Sequence, residues 1–391
     1  MTADRHSLTP ARRAAAVAPF HVMRILAQAR ALECAGHDII HMEVGEPDFG
    51  TPAPVLESAR DALAAHPMKY TPASGLPELR AAIARFYGER YDVDLDPRRV
   101  LVTPGGSGAL QLALAAVLDP LQAVLSPEPG YPCNRQIVSM LGGVMLGVPV
   151  VAADDYQPDP ARFEACWDER VRAVLLASPA NPTGAVVSRE RLSTLHALVR
   201  ERGAALIVDE IYQGLTYGVD DHTALGCASE DVFVVNSFSK YFGMTGWRLG
   251  WLVAPPGFVP TLERLAQNLY LAAPTPSQYA ALAALQPPTL ALLEQRRAEL
   301  RARRDVLLAG LRGLGFDIPY TPAGAFYIYA TLPPGYDNGE RLAARLLEEA
   351  GVAVTPGLDF GGADADRKLR FAYATDVARL REALARIGAF I

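Results

Sequence analysis

Between residues 100 and 254 the chain repeats one alternation: a short run of apolar residues, then a stretch in which apolar positions recur every three or four. The runs predict strands at Val100–Thr103, Ala123–Ser126, Val144–Val151, Val171–Ala177, Ala204–Val208, Val232–Asn236 and Leu249–Ala254. Helical spacing predicts helices at Gly108–Leu118, Arg189–Glu201 and Phe258–Leu271. Strands that are apolar on both faces must be covered on both. The expected fold is therefore α/β, a mostly parallel seven-stranded sheet sandwiched by helices. Ligands of such sheets sit beyond the C-terminal strand ends.

The flanks read differently. Val22–Ala35 predicts a helix closing near Gly36, and Ile39–Val44 a strand entering the turn Gly45-Glu46-Pro47-Asp48. A Pro-rich stretch at Gln286–Thr289 marks a boundary, followed by a long helix from about Leu290 to Leu314. Strands at Ala325–Ala330, Val352–Val354 and Leu369–Tyr373, with helices at Gly339–Ala350 and Asp376–Ile387, suggest a smaller α+β lobe. A chain of 391 residues exceeds what one core usually holds. The expected division is a large domain over 46–285 and a small one built from 1–45 and 286–391.

The apolar run Met140–Ala153 is too short to cross a bilayer and carries Gly142, Gly143 and Pro149, which suits a buried strand and turn. Arg12 and Arg13 before Ala14–Phe20 imitate a signal peptide, but Pro19 breaks the stretch and Val22, Met23, Ile25 and Leu26 continue as a helix face. With 37 basic and 43 acidic residues, net charge −6, no global field attracts nucleic acid or anionic membrane. Cys34, Cys133, Cys166 and Cys227 are far apart and form no CxxC pair, so no metal site is expected. They read as free thiols in a reducing compartment, and the expected location is cytoplasmic. Lysine is scarce: Lys69, Lys240 and Lys368 are the only three, so chemistry needing an amine has three candidates.

Polar residues interrupt the pattern where strands end. Thr103-Pro104-Gly105-Gly106-Ser107-Gly108 joins a strand to a helix, presenting amides and a hydroxyl to an anion; an ordinary glycine turn fits as well. Asn181 lies in Ser178-Pro179-Ala180-Asn181-Pro182-Thr183-Gly184, where a plain turn is the simpler explanation. Asp209 ends a strand, as a ligand or a helix cap. In the run Asn236–Arg248, Lys240 is expected to be enclosed by Phe238, Tyr241, Phe242 and Trp247, which would disfavour its charged form and yield a nucleophilic amine.

Taken together, Gly45-Glu46-Pro47-Asp48-Phe49, Tyr70-Thr71-Pro72, Pro129-Gly130-Tyr131-Pro132, Asn181-Pro182-Thr183-Gly184, Asp209-Glu210-Ile211-Tyr212, Ser237-Phe238-Ser239-Lys240 and Arg370 run in one order over nearly the whole chain. This set resembles the pyridoxal-phosphate-dependent class I/II aminotransferases of the aspartate aminotransferase superfamily, fold type I. The resemblance implies pyridoxal 5'-phosphate as cofactor, held as an aldimine by Lys240, with Asp209 on the pyridine nitrogen. It implies that Tyr212 and Asn181 meet the phenolic oxygen, that Tyr131 stacks on the ring, and that Gly106, Ser107, Ser237 and Arg248 grip the phosphate. It further implies that Tyr70, and possibly Thr275 in Thr275-Pro276-Ser277, reach across a homodimer interface. Arg370 would clamp the substrate carboxylate, with Gly45 and Asn181 beside it.

The implied activity is ping-pong transamination between an L-amino acid and a 2-oxo acid, with glutamate and 2-oxoglutarate expected as one pair. A carbon–sulfur β-lyase on the same scaffold is the alternative, because the same electron sink serves elimination. A non-enzymatic regulator module is remote, since only about one helix precedes Gly45. Dicarboxylate-specific members of the family carry a second arginine near the distal carboxylate, and none is assignable here. Phe20, His21, Met23 and Tyr320 are candidates for the pocket wall.

Overall fold

The computed structural model describes residues 8–19, 21–227 and 231–391, with the backbone alone at 227. Twelve strands are found among the described residues: β1 Ile40–His41, β2 Val100–Thr103, β3 Ala123–Glu128, β4 Val144–Pro149, β5 Val171–Ala177, β6 Ala205–Asp209, β7 Val232–Ser237, β8 Gly250–Val253, β9 Tyr327–Thr331, β10 Val352–Ala353, β11 Thr355–Pro356 and β12 Lys368–Ala372. Seven of them form one sheet in the order β2-β8-β7-β6-β5-β3-β4. β8 alone runs against its neighbours, so the sheet is mixed but mostly parallel.

Period-two alternation sends the side chains of each strand to opposite faces. Leu206, Val208, Val232 and Val234 enter one apolar core, while Ile207, Phe233, Val235 and Leu252 enter another, under the helix Gly105–Val117. Both faces are thus sealed. The strands could be read from sequence because every one of these residues is nearly or fully buried.

A second sheet, β11-β12-β9, is antiparallel, and β1 pairs in parallel with β10. The strand expected at Ile39–Val44 is therefore only two residues long and lies outside the large sheet. From Met42 onward the chain changes partner: the Met42 amide bonds Ala353, and its carbonyl accepts from Ala372. The helix expected from Gly108 begins at Gly105, so the glycine loop is the first helical turn itself. The long helix spans Pro287–Gly313, because proline is tolerated at the first positions, where the amide has no partner to lose. Helices at Ala53–Ala65, Pro77–Tyr91, Pro132–Met140 and Thr275–Ala284 escaped the sequence reading. Among the described residues no helix is long and apolar enough to cross a membrane, and no His/Cys/Asp/Glu cluster could hold a metal.

Candidate active site

β6 ends in Asp209, a residue 7% exposed whose carboxylate accepts the Ile211 amide at 3.1 Å. Burial pushes its pKa up to about 7, opposed by that amide and by the charge of Lys240. Lys240 follows the next strand, β7, on a turn held by its serines. Ser237 Oγ donates to the Leu249 carbonyl at 3.2 Å and accepts the Ser239 amide at 3.0 Å. Lys240 Nζ donates to the Gly45 carbonyl at 2.6 Å. Burial brings the amine down to about 8, with the charge of Glu46 chief among those acting the other way.

The aromatic enclosure of Lys240 differs from expectation. Phe238 and Phe242 turn into the core against Trp251, Tyr241 donates to Glu294 at 2.6 Å, and Trp247 donates to Thr51 at 3.0 Å. The rings that flank the amine are those of Tyr212 and Phe326, at 5.9 and 6.0 Å. Neighbours in sequence point away from one another; the enclosing rings come from other segments.

Two cavities meet at this point. One, of about 150 Å³, is lined by Gly106, Ser107, Ser237, Ser239 and Arg248 as well as Asp209 and Lys240. It lies at the N-terminus of the helix Gly105–Val117, where free amides and the helix dipole favour an anion. Arg248 packs so closely on Gly105 that a Cβ there would lie 2.7 Å from Nη2. The other cavity, of about 220 Å³, shares Tyr131, Asp209, Ile211, Lys240 and Thr245 with the first and extends to Gly45, Asn181, Tyr212, Tyr327 and Arg370.

Arg370, on β12, is 2% exposed. Its Nη1 donates to Asn181 Oδ1 at 3.0 Å and its Nη2 to the Glu43 carbonyl, while Nε is buried without a partner. Tyr327 and Phe360 place their rings 4.3 and 4.9 Å from the guanidinium. A buried cation with oxygen dipoles but no carboxylate bonded to it calls for an anion from outside.

Lys240, Asp209, Tyr212, Gly106, Ser107, Tyr131, Asn181, Ser237, Arg248, Gly45 and Arg370 thus converge on one place. Tyr70 does not join them: it is 82% exposed, and it follows Lys69, whose carbonyl accepts from the Thr275 hydroxyl at 2.9 Å. Lys368 is engaged elsewhere, with Thr331 at 2.9 Å. Val22 and Met23 line the 220 Å³ cavity, and His21 an adjoining one of about 320 Å³. Tyr320 packs against Tyr156 in the core and lines neither cavity, whereas Phe20 lies outside the described residues. The reading from sequence missed Tyr327, Glu46 and Thr245. Only the polar tip on an apolar strand could have flagged Tyr327, and Tyr329 shares that signal.

The geometry offers an anion cradle, a low-pKa amine, a buried carboxylate and a second anion clamp along one continuous hollow. Comparison with known proteins points the same way. The family profile "Aminotransferase class I and II" matches residues 37–387. The valine–pyruvate aminotransferase of Mycobacterium tuberculosis is 37% identical, covering 96% of this chain and 97% of its own. The aspartate/prephenate aminotransferase of Thermus thermophilus is also 37% identical, over 96% of this chain and 97% of its own. The crystal structure of the Thermus thermophilus aspartate aminotransferase with maleate superposes with a TM-score of 0.93 at 36% identity, covering 98% of this chain and 100% of that one. The chain belongs to the class I and II aminotransferases, enzymes that use pyridoxal 5'-phosphate, and it has their fold.

Proposed function

We propose that this aminotransferase moves nitrogen between an L-amino acid and a 2-oxo acid in a ping-pong cycle centred on Lys240. The observation that carries the reading is that Lys240 and Asp209 share the walls of both cavities, with Arg370 on one side and Arg248 on the other. Bound pyridoxal phosphate supplies an aldehyde that condenses with amines and a ring that accepts electrons.

The chain's own groups supply the rest. Lys240, with its amine at about 8, is available in part as a free base at neutral pH, and in this reading it carries the proton of the substrate α-carbon. Asp209 keeps the ring nitrogen protonated, and Tyr212 and Asn181 meet the phenolic oxygen. Tyr131 covers the ring face. Gly106, Ser107, Ser237 and Arg248 hold the phosphate, with arginine suited to its oxygens by a planar fork. Arg370 and Gly45 receive the amino acid.

Among the described residues, the cations lining the 220 Å³ cavity are Lys240 and Arg370, and Val22, Met23, Val44 and Ala177 present hydrocarbon. This supports an uncharged side chain on one substrate. Glutamate and 2-oxoglutarate are the other pair; among the described residues this cavity offers their distal carboxylate no cation beyond Lys240 and Arg370. The same reading makes the protein a homodimer in which Tyr70 and Thr275 face the partner's site, and divides the chain into a cofactor-binding domain, 46–285, and a smaller one, 1–45 with 286–391.

Mixing the loaded enzyme with single amino acids and following its visible band tests the reading. Amino acids with apolar side chains and glutamate should bleach the band stoichiometrically, and a 2-oxo acid should restore it. Catalytic release of pyruvate and ammonia without an acceptor would make elimination the main reaction. Borohydride should fix the cofactor to Lys240 and leave Lys240→Ala unlabelled; label on Lys69 or Lys368 contradicts the assignment.

A further inference from the structure

The hydroxyls of Tyr212 and Tyr327 lie 2.8 Å apart, on rings that are 4% and 1% exposed. Either oxygen can donate across this contact, but each carries one proton. The direction decides what Tyr212 offers the cavity. If Tyr212 donates to Tyr327, its oxygen faces the cavity as an acceptor only. If Tyr327 donates, Tyr212 keeps its proton for a ligand.

The surroundings favour the second direction. Among the described residues Tyr212 is the one hydrogen-bond partner of the Tyr327 hydroxyl, and the backbone closes over it: a Cβ on Gly45 would stand 2.1 Å from that oxygen. The Arg370 guanidinium lies 4.3 Å from the Tyr327 ring, and a nearby cation makes a phenol the stronger donor. Burial raises both phenols, Tyr212 far above its usual value, and Arg370 lowers both, but the bond between them lifts Tyr212 and lowers Tyr327.

We propose that Tyr327 is a positioning residue whose hydroxyl donates to Tyr212, so that the Tyr212 proton is aimed at the phenolic oxygen of the cofactor. This rests on the reading of Tyr212 given above. A bond received by Tyr212 polarises its O–H and strengthens the one it gives. That bond stabilises a phenolate, so it holds down the pH at which the visible band of the loaded enzyme titrates.

The test compares loaded wild type with Tyr327→Phe, Tyr212→Phe and the double variant. It reads the midpoint of the band's pH titration, and separately the Kd of pyridoxal phosphate for the apoprotein from its fluorescence. Phe at 327 keeps the ring beside Arg370 and removes one hydroxyl. Tyr327→Phe should raise the midpoint by about half to one pH unit and weaken cofactor binding several-fold. Tyr212→Phe should shift it further, and the double variant should match Tyr212→Phe alone. Fluorinating the Tyr327 ring, which makes it a better donor, should move the midpoint down. A Tyr327→Phe midpoint equal to wild type beside a shifted Tyr212→Phe, or shifts that simply add in the double variant, overturns the inference while sparing the role of Tyr212. An unmoved midpoint in Tyr212→Phe overturns both.

Discussion

The carboxylate of Glu43 is sealed from solvent, and one of its oxygens lies 2.7 Å from Nδ1 of His41. The backbone carbonyl of the same glutamate accepts from Arg370 and from the Thr355 hydroxyl. Two residues further on, the Gly45 carbonyl accepts from Lys240. The segment from His41 to Gly45 therefore braces the carboxylate clamp and the amine together. His41 also reaches Glu33 on the helix His21–Cys34 at 3.1 Å.

This pairing makes stability depend on pH. The bond to Glu43 is the chief cause lifting the His41 pKa from 6.5 to about 9, with Glu33 adding to it and burial opposing. A raised value means that the folded chain holds the proton more tightly, so the gain is complete below about 6.5 and fades as pH rises through 9. His41→Gln should be less stable than wild type by about 1–2 kcal/mol at acid to neutral pH, allowing for screening of a partly exposed ring. By pH ~10 the gap should close. Denaturant unfolding at both pH values measures it, and an equal gap at both contradicts the ion pair.

Asp209 gives the same direction with pH from a different cause, because here it is the charged form that the fold penalises. Its pKa is raised from 3.8 to about 7, so its ionised form is disfavoured in the fold and destabilises the apoprotein increasingly as pH climbs through that window. Asp209→Asn apoprotein should match wild type near pH 4 and exceed it by about 1–3 kcal/mol at pH 8. Transamination should fall at least about a hundredfold, as expected when one preorganised electrostatic partner is removed. Equal stability at both pH values would show that the buried charge is compensated by other means.

Arg370→Lys retains a positive charge but loses the fork. With Nη1 and Nη2 held by Asn181 and Glu43 and Nε facing no partner, a lysine reproduces neither the bracing nor the approach to a carboxylate. KM for the amino acid should rise roughly 30- to 150-fold, the cost of about 2–3 kcal/mol in a charge-assisted pair. An unchanged KM would remove Arg370 from the substrate site.

Gly45 is required by what faces it. A Cβ would stand 2.1 Å from the Tyr327 hydroxyl and 3.2 Å from the ring carbon bearing it. Gly45→Ala should lose about 1–3 kcal/mol through overpacking. Combining it with Tyr327→Phe removes the atom in collision, so the double variant should be more stable than the sum of the single losses predicts. Simple additivity would mean that the strain lies elsewhere.

The large sheet was legible because a strand buried on both faces writes itself as an apolar run, as at residues 173–177 and 232–235. Helices such as Pro77–Tyr91 were not, since their apolar and polar positions barely separate by face and Gly88 sits inside the pattern. The same contrast holds at the site. Asp209 closes a strand and Lys240 follows one, so local pattern placed both at the same edge of the sheet.

Sequence alone therefore determined the α/β architecture and which polar residues end or follow strands, because each is a matter of short-range periodicity. Tertiary structure decided which rings enclose Lys240, that Arg370 is braced by a carbonyl on a distant segment, and that Tyr327 meets Tyr212 across 115 positions. Those contacts arise where the smaller sheet packs over the strand ends. Periodicity tells which way a side chain points from its own element, but its partner is chosen by elements far away in sequence that fold against it.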